Sequence, residues 1–371
     1  MATDYATLFH AYGRAVDTPA HLDALTSDDP EARTAALRHL WSAVIHQGTP
    51  WTATPPAAER VAALLGDPRL DAADRASLLR FLAAVAEATQ PGYDAGELAA
   101  MAYPPGRDLE AEFAAADEDE AYGDEVLANA MYSRAILGCR AVVPAALAAA
   151  AALLADPDPE VRAAAAYAAG ACATALGPAA DPSALAARLD ALAADAGPDE
   201  RAALVLSMGE LGLAPRAYLD DPHPGVRACA ALAPALADDP AATAAILEAL
   251  ADPAATERWF THRPPQLHTH IRFRLTHAAI ERVDDPERLL PAALALAPIA
   301  GPWTAGSDWG PLLLAILGPR RDGPLTDPQR RYLAALVDNE SLWDPRNGNA
   351  SLAMREAGLP HDRAACRALT S

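Results

Sequence analysis

The sequence predicts an all-α protein assembled from helical hairpins stacked in line, and three observations carry that prediction. Hydrophobic residues make up 52% of the chain but aromatic residues only 5%, because alanine supplies much of the apolar content. Alanine is the strongest helix former and the smallest side chain that still excludes water, so it suits helices packed closely side by side. The 33 prolines fall mostly at first helical turns and in loops, as at Pro30, Pro68, Pro159, Pro182, Pro198, Pro224, Pro240, Pro286 and Pro328, where a missing N–H is harmless. They are expected to punctuate helices rather than interrupt them. The third observation is a recurrence. The stretch "DPDPEVRAAAAYAAGACATAL" (156–176) has weaker copies at 28–40, 70–85, 197–211, 220–236 and 268–280, with Arg33, Arg75, Arg162, Arg201, Arg227 and Arg272 in register. The steps between them are 42, 87, 39, 26 and 45 residues, and the longest is about two periods of a helical-pair repeat. A repeat without the arginine is therefore expected near 118–137, preceded by the acidic run 117–120, which reads as a solvated loop and helix start.

In three copies an aspartate stands six residues before the arginine: Asp156 and Arg162, Asp195 and Arg201, Asp221 and Arg227. On these motifs the chain resembles HEAT repeats, and the bacterial HEAT-like repeats of phycobilisome lyases. The resemblance implies antiparallel helix pairs wound into a right-handed α-α superhelix, an armadillo-like solenoid of about seven to eight hairpins. It also implies a ladder of charge pairs, with the aspartate before the second helix of a unit and the arginine in its first turn. The physics agrees, since a carboxylate at a helix start accepts free N–H groups and a guanidinium bridges two carboxylates. Arg33, Arg75 and Arg272 instead have Ser27, Arg69 and Gln266 six residues earlier, so irregular joints are expected there. The 26-residue step predicts a truncated helix at "APRAYLD" (214–220). Residues 25–285 carry the pattern, 286–371 read as degenerate repeats and a cap, and no linker divides the single solenoid domain 1–371. Residues 37–65 and 358–369 resemble bacterial HEAT-repeat proteins that, as a group, have no assigned activity.

Composition excludes some chemistry. All 29 basic residues are arginine, as in a very GC-rich bacterial genome, and without lysine there is neither a Schiff base nor a phosphate-binding loop with its ammonium. A net charge of −21 disfavours nucleic acid and membrane surfaces and either favours a basic partner or keeps the array soluble. Cys139, Cys172, Cys229 and Cys366 are too far apart for a zinc pattern or a disulfide framework and read as reduced core residues in a cytoplasm. The start "MATDYATLFHAYGRAV" lacks a secretory signal, and the most apolar stretch, 141–155, is too short and alanine-rich for a bilayer. No cofactor and no metal are expected.

Site candidates concentrate in residues 257–282, where four histidines and five arginines face two glutamates. His270, Arg274, His277 and Glu281 are spaced for one helix face, and His262, His268 and Arg272 lie nearby. The stripe reads as a solvated face, as a contact for an anionic or carboxylate-bearing partner, or as a metal site, the last weakened by the missing carboxylate or cysteine. Trp259, Trp303 and Trp309 either fill gaps in an alanine-rich core or anchor a ligand, and the Gly/Pro-rich loop 299–311 is a candidate binding loop. His39, Ser42 and His46 are expected on one face of the helix begun at Pro30, with Gly48 capping its end and Trp51 packing on the next helix. No G-x-S-x-G, H-E-x-x-H, Cys-x-x-Cys or dinucleotide glycine loop occurs. The leading expectation is a non-enzymatic scaffold that binds a protein or peptide on its concave face. The alternative is a helical-repeat enzyme, like a chromophore lyase or a DNA glycosylase.

Overall fold

The dipeptide Asp-Pro explains where many of the helices start. Asp29, Asp158, Asp181, Asp239 and Asp285 each accept a backbone N–H of the following turn, and a proline fills the first helical position. Each such cap is worth about 1 kcal/mol. The computed structural model describes residues 3–90, 92–116, 122–318 and 323–371. It is mostly helical, with two short hairpins among the described residues, and is compatible with a helical-repeat fold. The acidic run 117–120 and part of the repeat expected at 118–137 lie outside the described residues. The chain divides into two compact units, 1–196 and 197–371.

The first unit contains α1 (Thr18–Ala24), α2 (Pro30–His39), α3 (Thr54–Leu64), α4 (Ala72–Glu87), α5 (Ala95–Ala102), α6 (Leu109–Ala115), α7 (Glu125–Leu153), α8 (Pro159–Leu176) and α9 (Pro182–Asp195). Helix α8 packs between α4 and α7, and every residue from Ala163 to Ala173 is buried. Alanine permits this, because a helix sheathed in methyl groups can be approached from all sides. Tyr167 is the large exception within that run, and its hydroxyl donates to Glu87 Oε1 at 2.7 Å. Helix α7 crosses α3 where Gly138 faces Pro55, and a Cβ there would lie 2.6 Å from the proline ring. Among the described residues α7 is the one helix long and apolar enough to span a membrane, with a mean hydropathy of 1.9 over its most apolar 18 residues. The apolar stretch 141–155 is thus mostly part of a longer element than the sequence suggested. Its packing on α3, α5 and α8 and the bonds from its Arg134 and Arg140 to the carbonyls of Ala102 and Thr89 are compatible with a soluble protein.

The second unit contains α10 (Pro198–Glu210), α11 (Pro224–Ala231), α12 (Pro240–Ala251), α13 (Pro253–Thr256), α14 (Ile271–Arg282), α15 (Pro286–Leu296), α16 (Trp309–Leu317), α17 (Asp327–Asp338), α18 (Gly348–Glu356) and α19 (Arg363–Leu369). Successive helices pack as α10 on α11, α11 on α12, α12 on α14 and α15, and α15 on α16 and α17. A 3-10 turn at Arg216–Asp220 stands where the short spacing called for a truncated helix.

Several expectations need correction. Pro144 and Pro291 lie inside α7 and α15, so not every proline punctuates. Gly48 caps no helix: α2 ends at His39, a π-helical turn follows at Leu40–Val44, and strands β3 (Ile45–His46) and β4 (Thr49–Pro50) form a hairpin. Gln47 and Gly48, at φ 51° and 80°, make its two-residue turn, which requires positive φ at both positions. His39, Ser42 and His46 therefore do not share a helix face.

The recurring arginine acts differently from the simple six-residue pairing. Arg33, Arg75, Arg162 and Arg227 donate back to the carbonyls of Ser27, Leu70, Asp156 and Asp221, closing the loop before their own helices. Forward pairs then reach a later carboxylate: Arg33 to Asp74 at 3.2 Å, Arg75 to Asp156 at 3.3 Å, Arg201 to Asp221 at 2.8 Å and Arg272 to Asp308 at 3.2 Å. At Arg33, Arg75 and Arg272 the carboxylate thus comes from later in the chain and not from six residues upstream. Asp156 and Asp221 do not cap helices either; each accepts the N–H two residues on, from Asp158 and His223, while Asp195 is the exposed last residue of α9.

Candidate functional site

Helix α14 carries the polar stripe into a cleft of about 940 Å³ in the second unit, where Arg274, His277 and Glu281 line one wall. Their spacing of three and four residues puts them on one helical face, while Ile271, Leu275 and Ala278 are buried. The facing wall comes from the segment joining α11 to α12, including Asp238, and Arg288 of α15 stands at its edge. Arg282 donates to the carbonyls of Ala231 and Leu236 at 2.9 and 3.4 Å and so fixes that segment; burial holds its pKa below the usual guanidinium value. Arg274 lies 3.6 Å from Glu210. Among the described residues His277 and Arg288 have no ion-pair partner. In a chain of −21, the cleft sets the guanidinium groups of Arg274 and Arg288 beside the carboxylates of Asp238 and Glu281, and a guanidinium without an ion-pair partner is suited to a bidentate grip on a carboxylate.

The remaining sequence candidates are not gathered there. Arg272 is buried, with its guanidinium between Glu257 Oε1 at 2.8 Å and Asp308 Oδ2 at 3.2 Å, so it is a joint residue and faces no partner. His270, at the start of α14, meets Glu257 Oε2 at 2.5 Å. Burial pushes the Glu257 carboxyl up, but the His270 hydrogen bond and the charges of His270 and Arg272 outweigh it and hold it below the usual range. Asp308 is fully buried and is raised by that burial, although the Trp309 amide and Arg272 pull the other way. Trp309 is core: its side chain is inaccessible and its indole N–H donates to the Gly301 carbonyl at 2.8 Å. Trp303 is 82% exposed, beside Leu314 and Leu352 on a separate hollow of about 350 Å³. Trp259 borders a minor hollow near Arg227. His262 and His268 are exposed in the segment before α14, the His262 amide donating to Asp199 at 2.7 Å.

A second constellation lies in the first unit, and sequence reading missed most of it. Strands β1 (Phe9–His10) and β2 (Gly13–Arg14) form a hairpin that sets His10 against Asp17, just before α1, and His39, the last residue of α2. His10 Nε2 lies 2.9 Å from Asp17 Oδ1, and His39 Nδ1 3.8 Å from Asp17 Oδ2. Because His10 Nδ1 accepts the Tyr12 amide at 3.1 Å, its proton sits on Nε2 and is given to Asp17. His39 Nε2 meets Thr18 Oγ1 at 2.9 Å, and the His21 ring stacks on His39 at 4.2 Å. Burial and the neighbouring His21 push His39 down to about 4, against the pull of Asp17. Asp17, raised by burial, is lowered further by the His10 hydrogen bond and both imidazoles, and ends below the usual carboxylate range. The available signal was that four of the ten histidines fall within the first 46 residues. Their meeting depends on a hairpin and a π-turn that no periodicity announces.

All four cysteines are buried and none is in a disulfide, and burial pushes the Cys139, Cys172 and Cys229 thiols up to about 12, so these three are poor nucleophiles.

No family model matches the chain, and no curated protein matches it. A crystal structure of an engineered protein aligns over 92% of this chain and 88% of its own, at 16% identity and a TM-score of 0.31, a level of likeness that carries no argument.

Proposed function

We propose that the chain is a HEAT-like solenoid, a right-handed stack of helical hairpins forming one functional array, that acts in the cytoplasm as a non-enzymatic scaffold for a protein or peptide. The observation that carries this reading is the second-unit cleft, whose Arg274 and Arg288 present guanidinium groups inside an acidic protein, with the His277 imidazole beside them. The bound segment offers a carboxylate to these groups, and a basic body elsewhere on the partner matches the surrounding field. The forward arginine pairs support the repeat reading, since each ties the start of one helix to a carboxylate later in the chain.

The test is a peptide array with free and amidated C-termini and graded acidic content, screened with the full chain. Binding should favour carboxylate-bearing peptides and fall when Arg274 and Arg288 are both replaced by alanine, with the melting temperature held. Equal binding of neutral and acidic peptides contradicts the proposal. Duplex-DNA binding at moderate salt contradicts it too and favours the glycosylase-like alternative, because a scaffold of this charge predicts none.

A further inference from the structure

We propose that His10, Asp17 and His39 form a binding site for one divalent first-row transition ion, zinc being the default occupant. Sequence spacing gave no reason to expect a metal, and the inference rests on three features of the assembled cluster.

The donor set is two imidazoles and one carboxylate, the combination that borderline divalent ions prefer over calcium or magnesium. One donor atom from each residue can be chosen so that all lie within 4.8 Å of one another. His10 Nε2 lies 2.9 Å from Asp17 Oδ1 and His39 Nδ1 3.8 Å from Asp17 Oδ2, each near the roughly 3.4 Å between ligand atoms around a tetrahedral ion with bonds of about 2.0–2.1 Å, so a turn of the carboxylate offers one oxygen to both imidazoles. Small side-chain shifts therefore complete the site.

The ligands are also held for the task. The His10 and His39 side chains are only 6% and 7% exposed, whereas Asp17 is 51% exposed and gives the ion a way in. His39 bonds to Thr18 through Nε2, leaving Nδ1 towards Asp17; a metal-bound imidazole is oriented by such a bond at its other nitrogen. His21, stacked on His39, places a further imidazole alongside.

One rearrangement is required. His10 Nε2 now carries the proton given to Asp17, and the ion takes that place. The imidazole must then hold its proton on Nδ1, which displaces the Tyr12 amide. Tyr12 is 58% exposed, so water can accept that N–H. Zinc binding should therefore leave a local mark at Tyr12 as well as at the ligands.

The experiment uses the untagged full chain, stripped with a chelator and titrated with zinc by calorimetry and with cobalt by visible absorption. One ion per chain is expected, with the intense d–d bands of low-coordinate cobalt and faster hydrogen exchange of the Tyr12 amide on zinc binding. Asp17→Asn, a change at an exposed side chain, should weaken binding by at least about 100-fold, and Thr18→Val, which removes the orienting bond, by about 10–100-fold. His10→Ala should abolish the cobalt bands, with circular dichroism confirming the fold. If that variant fails to fold, Asp17→Asn decides the matter alone. Absence of cobalt bands in the native chain, or equal affinity in Asp17→Asn, overturns the proposal and leaves the cluster as a hydrogen-bonded clamp. Unchanged binding in a folded His10→Ala variant does the same.

Discussion

Cutting the joint between Arg201 and Asp221 gives the sharpest energetic test of how neighbouring hairpins are held. The guanidinium and carboxylate are 2.8 Å apart, with side-chain exposures of 22% and 6%, and the other carboxylate oxygen accepts the His223 amide at 2.8 Å. At an effective dielectric of about 20 such a pair attracts by about 4–6 kcal/mol before desolvation and side-chain ordering are subtracted. Arg201→Ala leaves a buried carboxylate with only an amide beside it. Breaking a fully buried pair costs about 3–5 kcal/mol, and discounting for the partly exposed arginine leaves roughly 2–3 kcal/mol. Asp221→Ala removes the pair and the amide bond and should cost a similar ~2–3 kcal/mol. In the double variant the losses overlap, so the total should be about 3–4 kcal/mol and the coupling about 1–2 kcal/mol. Urea unfolding followed by tryptophan fluorescence suits this, because four of the six tryptophans lie in residues 197–371. A coupling below about 0.3 kcal/mol, within the error of additivity, would refute the view that this pair is a structural joint.

Three further outcomes are expected. Ala168→Leu adds three carbons to a fully buried position of α8 and should destabilise by about 1–3 kcal/mol through overpacking, seen as a lower urea midpoint. Glu257 ionises more readily in the folded chain than its ordinary 4.5, so its stabilisation is complete above that pH and fades as pH falls below it. Glu257→Gln should flatten the loss of stability as pH falls below about 4.5 relative to the native chain, and an unchanged slope there contradicts the assignment. Because all four thiols are buried, a thiol reagent should label none in the folded protein and all four in denaturant; fast native labelling counts against the packing of the helices that carry them.

The helical class was legible because its causes are local. Alanine content, Asp-Pro starts and recurring arginines all act within one or two turns, and helices such as α8, α12 and α15 lie where those signals put them. The partners of the arginines were not legible. Arg75 finds Asp156 across 81 residues, and nothing within six residues of it indicates that choice. Three of the four stripe residues, Arg274, His277 and Glu281, share a cleft wall, as their helical spacing implies. Arg272 escaped, because a charged residue facing inward looks, in a sequence, like one facing out. Trp303 and Trp309, six residues apart, differ completely in exposure, a distinction made by a Gly/Pro-rich loop whose path carries no period. His10 and Asp17 were invisible for the same reason: short hairpins and a π-turn bring them to His39.

The most direct measurement of the central claim, that the second-unit cleft receives a partner's carboxylate, is a fluorescence-anisotropy titration of the strongest array peptide. The native chain is compared with the Arg274→Ala/Arg288→Ala variant and with the amidated peptide. The account predicts that each change weakens binding at least about tenfold, a loss of roughly 1.4 kcal/mol, while the melting temperature holds and added salt weakens only the native complex strongly. Equal affinities across all three contradict it.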